Sequence, residues 1–299
     1  MHYQKTHGQL QITIDKPQTL NEWFDSFSIS RKYRHPLFET KSITCNHKPI
    51  QEEDTLNPGD LLILHLPKEE LDLYPNEVMA DVVYEDDFVL VVHKPAGIII
   101  HGEDCSLDTM VACYHAFNQI EAPVRHLHRL DKETSGLVLY SKLPLFQAYF
   151  DQQIKDKKIH RSYYAITTGN ARLRQAFHFQ EPIGKDRHVS GKYRVSQTGK
   201  PAKTFARCIA KTKQYLLLDC KLETGRTHQI RVHLSHAKHP ILNDPLYGIP
   251  SKDFKKMCLW AYKLQFTHPL TKETICVQDF WNPDYALFKD AIEAASNTQ

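Results

Sequence analysis

The side chains best suited to chemistry crowd into residues 125–142, which read RHLHRLDKETSGLVLYSK. His126, His128 and Arg129 lie close to one carboxylate, Asp131. A carboxylate beside an arginine is held ionised and can serve as nucleophile, base or ion-pair partner. Glu133-Thr134-Ser135-Gly136 is polar and turn-like, and Leu137-Val138-Leu139-Tyr140 is an apolar run of the kind that forms a buried strand. A loop held against such a strand is where a rigid scaffold presents reactive groups. From spacing alone, a surface loop with a structural ion pair fits the stretch as well as a catalytic one does.

The elements that must position this stretch are read from periodicity. Leu10-Gln11-Ile12-Thr13-Ile14 alternates as a strand, and Thr19 opens a helix with Glu22 three residues on. Leu20, Trp23, Phe24 and Phe27 form that helix's apolar face. A basic cluster, 31–35, follows, then short strands at 42–45 and 61–64 between turn signals. The acidic stretch 68–77 has no period and reads as a linker. Residues 82–87 read as a turn before a buried strand at 88–92, and His93 to Gly97 as a tight turn. Residues 144–158 read as a helix with Phe146, Phe150 and Ile154 facing the core. Residues 159–169 alternate as a strand with Arg161, Tyr163 and Ala165 on one face and Tyr164 on the other. The polar stretch 181–204 is a loop or hairpin. A strand at 215–222 runs into a turn at Gly225. There Thr227 can cap a helix whose stripe is Ile230, Leu234 and Ala237, which leaves Arg226 at the corner. Residues 258–262 and 274–277 supply further strands.

A chain of 299 residues, 41% hydrophobic, suffices for one large core or a core plus a small appendage. No apolar run reaches membrane-spanning length, and the N-terminus lacks the apolar segment of a signal peptide. Cysteines 45, 105, 113, 208, 220, 258 and 276 are odd in number and dispersed, the pattern of reduced thiols in a cytoplasmic protein. The net charge of +3 hides an asymmetry: residues 155–213 carry fifteen Lys/Arg against three Asp/Glu, leaving −9 for the rest. Such a cationic tract suits a polyanion such as RNA. His228, His233, His236 and His239 cluster near one helix, but their spacings do not converge and no HExxH is present, so no metal is expected.

The run His128 to Gly136, HRLDKETSG, resembles the signature of the RluA family of pseudouridine synthases, RluD-like branch, in which the aspartate is the nucleophile. Other family motifs follow in order: Lys94-Pro95-Ala96-Gly97 (with His93 where asparagine is usual), Arg161-Ser162-Tyr163-Tyr164-Ala165, a Gly199-to-Thr204 segment, TGRTHQIR at 224–231, and Asn243 to Gly248. The resemblance is strong over 82–285 and weak over 1–75, where the element order is similar to a small S-four-like RNA-binding module in degenerate, net acidic form.

What the resemblance implies is an α+β fold: a mixed, largely antiparallel sheet flanked by helices, with a small N-terminal α/β module. Residues 1–75 would be the module and 76–299 the catalytic domain. Asp131, Tyr163 and Arg226 would be catalytic, Arg226 as the ion-pair partner of Asp131 and Tyr163 packed on the base. Arg129 would fill the space left by the flipped nucleotide and Ile230 would floor the pocket. His128, Lys94 and Lys200 would also contribute to the substrate site, Lys94 by helping to shape its floor. The expected reaction is isomerisation of uridine to pseudouridine by a cytoplasmic monomer, without cofactor or metal, in large-subunit ribosomal RNA rather than transfer RNA. A non-catalytic RNA-binding or ribosome-assembly factor on the same fold is the alternative, and intact Asp131, Tyr163 and Arg226 argue against it. A nucleoside hydrolase has no use for the basic tract.

Overall fold

The fold is set by runs too apolar to face water. In the computed structural model, which describes residues 1–6, 8–66, 70–280 and 282–296, two of these runs become the strands Val89–Lys94 and Ser135–Ser141, buried almost throughout. They pair antiparallel, with Val138 opposite Val92 and Tyr140 opposite Leu90. Alternation sends successive side chains to opposite faces. Val89, Val91, Leu137 and Leu139 join Phe146 and Phe150 in one core, while Leu90, Val92, Val138 and Tyr140 join Leu107, Met110 and Val111 in another. The helices Leu107–Phe117 and Gln147–Lys155 thereby cover opposite faces.

These strands lie within a ten-stranded sheet. From one edge its order is Ala176–Phe179, Thr204–Lys211, Leu216–Leu222, His160–Thr167, Leu259–Thr267, Ser135–Ser141, Val89–Lys94 and Asp81–Glu85. Arg125–His126 and Thr274–Gln278 pair off this path. Pairing is antiparallel except where Ser135–Ser141 meets Leu259–Thr267, with Gly136 opposite Ala261. Gly136 has φ +115°, and a Cβ there would lie 2.3 Å from the Ala261 carbonyl oxygen. Only glycine accommodates that crossing, which explains the residue that closes the HRLDKETSG run.

The N-terminal sheet has the order His2–Thr6, Gln9–Thr13, Leu61–His65, Ile43–Cys45, Lys48–Pro49. The expected capping box opens the helix Leu20–Ser26: the Glu22 amide donates to Thr19 Oγ1 at 3.1 Å and the Thr19 amide to Glu22 Oε2 at 2.8 Å. The module does not keep its core to itself. Leu10, Trp23, Phe24 and Phe27 belong to the same cluster as Phe88, Phe146 and Phe150. Phe27 packs edge-on against Phe146 at 5.3 Å and Tyr3 against Phe88 at 5.2 Å.

One reading of the sequence needs correction, and two other stretches gain structure. The correction concerns 82–87, read as a turn: Asp81–Glu85 is an edge strand on Val89–Lys94, and the chain reverses only after Glu85. The basic cluster 31–35 opens a second helix, Arg31–Glu39, in which Arg34 is buried and donates to the Ile29 carbonyl, Asn21 and Asp25. That arginine is an internal strut. The acidic linker is not loose either: Leu71 and Leu73 pack on the core, and Asp72 accepts the Val124 amide at 3.0 Å and pairs with Arg125. Lys68 and Glu69, which open that stretch, lie outside the described residues.

Candidate active site

Asp131 sits in the loop between Arg125–His126 and Ser135–Ser141. Its carbonyl accepts the Thr134 amide at 3.1 Å, closing a turn. The next carbonyl, of Lys132, accepts the Gly97 amide at 2.8 Å and Lys94 Nζ at 2.9 Å. Lys94 is fully buried and also donates to the Pro95 and Ile98 carbonyls at 2.9 and 2.7 Å. An ammonium has three donors, and backbone takes all three. Burial pushes Lys94 down to about 8, against the pull of Glu133 and Asp131. It does not border the cleft, so its expected substrate contact is replaced by a structural one: it ties the 94–98 turn to the back of the Asp131 loop.

The charge partner of Asp131 is Arg231. Its Nη1 donates to Asp131 Oδ2 at 2.9 Å, while Nε and Nη2 fork onto the two oxygens of Asp244 at 2.7 and 2.8 Å. Asp244 Oδ1 also accepts the Leu246 and Tyr247 amides at 2.9 and 3.1 Å. Arg231 and Asp244 are buried, while the Asp131 side chain keeps 25% of its exposure. The guanidinium is thus clamped from behind and presents its remaining edge to a carboxylate at the solvent side.

The family resemblance assigned that pairing to Arg226. The structure corrects it: Arg226 is exposed and its Nε donates to the Pro201 carbonyl at 2.9 Å. The cause is register. Arg226 precedes the helix Gln229–His236, whereas Arg231 lies on its buried first turn beside Ile230 and Val232. Thr227 does not cap that helix; His228 occupies the N-cap in the left-handed region, φ 57°. The chain bends at Glu223 and Thr224 and turns at Thr227 and His228, on either side of Gly225, and Arg226 still borders the cleft.

That cleft encloses about 910 Å³ and is bordered by Asp131, Tyr163, Ile230, Arg129, Arg161 and Arg226, among others. Tyr163 is buried on His160–Thr167, opposite Cys220 on one side and Ala261 on the other. Burial raises its pKa, with Arg161 opposing and the Asp131 charge adding. Tyr164 points to the other face, stacked on Tyr262 at 3.7 Å, as the alternation predicts. Ile230 is buried in the cleft wall, and Arg129 is exposed at its rim.

His128 borders the cleft but is buried, and its Nε2 accepts the Leu139 amide at 3.3 Å. Burial, aided by Arg161, pushes it down to about 3, so the ring is neutral and fastens loop to strand. Lys200 is exposed and does not border the cleft itself; its backbone bridges Ile183. It belongs to the basic arm, whose hairpin pairs Ile183–Lys185 with Tyr193–Val195 and exposes Lys185, Arg187 and Arg194.

Three of the four clustered histidines turn to separate partners. His233 contacts Thr204 and the Glu181 carbonyl, His239 the Thr168 carbonyl, and His228 Nδ1 lies 2.8 Å from the Tyr247 hydroxyl. The sequence reading gives Arg231, Asp244, His228 and Tyr247 no role. The signal available for two of them is the run 243–248, which sets a carboxylate and a tyrosine three residues apart in a tight Pro/Gly turn.

The geometry can now be set beside known proteins. The fold matches solved human structures titled RNA Pseudouridylate Synthase Domain Containing 4 and 1, each at TM-score 0.57. The first is 22% identical and covers 72% of this chain and 92% of its own; the second is 24% identical and covers 74% and 90%. The architecture is therefore that of the pseudouridine synthases. The family described as RNA pseudouridylate synthase matches residues 88–236, the span that holds Asp131, Tyr163, Arg226 and Arg231. An uncharacterized RNA pseudouridine synthase of Bacillus subtilis, YhcT, is 34% identical over 286 residues, covering 92% of this chain and 94% of the relative. Ribosomal large subunit pseudouridine synthase D of Yersinia pestis is 33% identical over 285 residues, covering 89% and 86%. The chain belongs to the RluA family of RNA pseudouridine synthases, isomerases that act on RNA.

Proposed function

We propose that the chain isomerises uridine in large-subunit ribosomal RNA, with Asp131 as the reacting carboxylate. The observation that carries the reading is the Arg231 clamp, which holds Asp131 against a guanidinium on the border of a cleft large enough for a flipped nucleotide. The reaction detaches uracil from its ribose, turns it, and rejoins it through carbon, so the base must be kept in an enclosed site between steps. Both close nitrogens approach Asp131 at Oδ2, the Arg231 guanidinium at 2.9 Å and the His228 ring at 3.8 Å, which leaves Oδ1 as the oxygen to attack the sugar or take its neighbouring proton. Tyr163 packs on the base and assists the final proton removal, Ile230 supplies apolar floor, and Arg129 fills the vacated stack. Arg226, freed from the Asp131 pairing, is a phosphate contact on the way to the basic arm.

The choice of ribosomal RNA rests on relatives bearing that name, including the Yersinia pestis protein. The same reading has the enzyme act as a cytoplasmic monomer. The N-terminal module would contribute substrate choice and not chemistry, since no residue before Ile99 borders the cleft among those described. Mapping pseudouridines in total RNA from cells with and without the gene tests it. Loss of one or more sites in large-subunit ribosomal RNA is expected; loss confined to transfer RNA overturns the substrate and leaves the chemistry standing.

A further inference from the structure

Tyr247 stands where the basic arm meets the reacting carboxylate. Its hydroxyl accepts the Tyr193 amide at 2.7 Å and lies 2.8 Å from His228 Nδ1. Tyr193 opens the second strand of the hairpin. His228 Nε2 in turn lies 3.8 Å from Asp131 Oδ2. The Tyr247 ring is flanked by two cations, Arg231 at 5.1 Å and Lys192 of the hairpin at 5.4 Å. Two segments distant in sequence, 192–193 and 228–231, therefore converge on one phenol, and the second of them also reaches Asp131.

The carboxylate at the far end sets the direction of this chain. A backbone amide only donates, so Tyr193 occupies one lone pair of the phenol oxygen and leaves the hydroxyl free either to give its proton to His228 Nδ1 or to accept one from it; the Asp131 carboxylate beside Nε2 favours the first. The imidazole then carries its proton on Nε2, where it faces the Asp131 carboxylate. The opposite tautomer would set a bare nitrogen lone pair against that carboxylate.

We propose that His228 is a positioning residue for Asp131, held as the Nε2–H tautomer by Tyr247, and that the Tyr193 amide joins the basic arm to the carboxylate through this relay. RNA seated on the arm and the orientation of Asp131 are thereby coupled. The proposal rests on Asp131 being the reacting group. The charged and titratable groups around His228 are Asp131, Arg231 and Asp244, with Tyr247 bonded to its ring and Tyr193 edge-on at 5.6 Å. Burial, the largest influence, lowers the pKa of His228; Asp131 and Asp244 oppose this and Arg231 adds to it, so the ring is neutral near pH 7. The αL conformation of His228 aims the ring without help from a side-chain cap.

Nitrogen-15 NMR of histidine-labelled, RNA-free protein reads the tautomer without any turnover. The Nε2–H form is expected, and Tyr247→Phe, which removes the proton given to Nδ1, raises the pKa of His228. An Nδ1–H form in the unmodified protein, or an unmoved pKa in the variant, overturns the relay. In single-turnover reactions at saturating RNA, Tyr247→Phe lowers the rate at least tenfold with RNA affinity within threefold, and moves the acid limb of the pH profile upward. His228→Gln, which keeps a side-chain N–H, retains more rate than His228→Ala. Should Asp131→Asn abolish turnover while Tyr247→Phe and His228→Ala stay within twofold of the unmodified enzyme, the relay fails alone. Should Asp131→Asn remain active, the reading of Asp131 fails, and the NMR result still decides the tautomer.

Discussion

Arg231 Nη1 reaches Asp131 Oδ2 at 2.9 Å across one hundred residues of sequence, from a helix turn anchored by Asp244. The arginine that looks equivalent in the sequence, Arg226, spends its Nε on a backbone carbonyl. The two should separate cleanly in a kinetic experiment.

Asp131→Asn preserves volume and removes charge, so turnover is expected to vanish while RNA affinity persists. Arg231→Ala should be nearly as damaging and should also destabilise the fold by about 3–5 kcal/mol, because it strands the buried Asp244 carboxylate. Arg226→Ala should weaken RNA binding and leave the saturated rate within about tenfold, one decade being ~1.4 kcal/mol of barrier. Tritium release from uracil-labelled RNA in single turnover measures all three. An Arg226→Ala enzyme as dead as Asp131→Asn would restore the pairing read from the sequence.

Replacing Lys192, Arg194, Lys200 and Lys203 together should flatten the salt dependence of RNA binding. For four phosphate contacts the log–log slope should fall by roughly 3. An unchanged slope would mean that RNA runs elsewhere.

His128 provides a pH test. Its folded value is depressed to about 3, so the unfolded chain takes up the proton first, near 6.5. Its contribution is therefore complete above pH 6.5 and lost as pH falls from there through 3, on the order of a few kcal/mol. His128→Gln keeps an acceptor for the Leu139 amide and does not titrate. Urea unfolding across pH 3–7 should show a shallower acid decline in the variant, and identical declines would refute the account.

Phe27→Ala should lower stability by about 3–5 kcal/mol, since Phe27 seals the core between the N-terminal module and Phe146. The saturated turnover rate should stay unchanged below the melting transition. A melting temperature within 2 °C of the parent, by calorimetry, would show that the module is held by something else; the scale for so large a loss is roughly 2–4 °C per kcal/mol in a chain of this size.

The turn and the buried strand of the Asp131 loop were legible because they are local, whereas the role of its carboxylate came only from resemblance and the Gly136 crossing only from the structure. Tyr163 was legible because strand alternation separates it from Tyr164, and the Thr19/Glu22 box because capping depends on a three-residue spacing. Arg231 was not, since two arginines in one motif differ only by the helix register that buries the second. The helix Arg31–Glu39 was masked by Pro36 and by its basic first turn, although Leu37 and Arg34 point inward. Asp81–Glu85 is an edge strand whose alternating exposure is too short to stand out beside a turn.

The shared core of Phe27, Phe88 and Phe146 has one more consequence. A module that keeps its core to itself swings on its linker and acts as a tethered hook. Here the linker is pinned by Asp72 and the aromatic seam is continuous, so the N-terminal sheet and its helices are held against the larger sheet. An RNA that touched both the module and the cleft would have to present its two contact points at a set spacing, and shape, more than sequence, would decide which RNA fits.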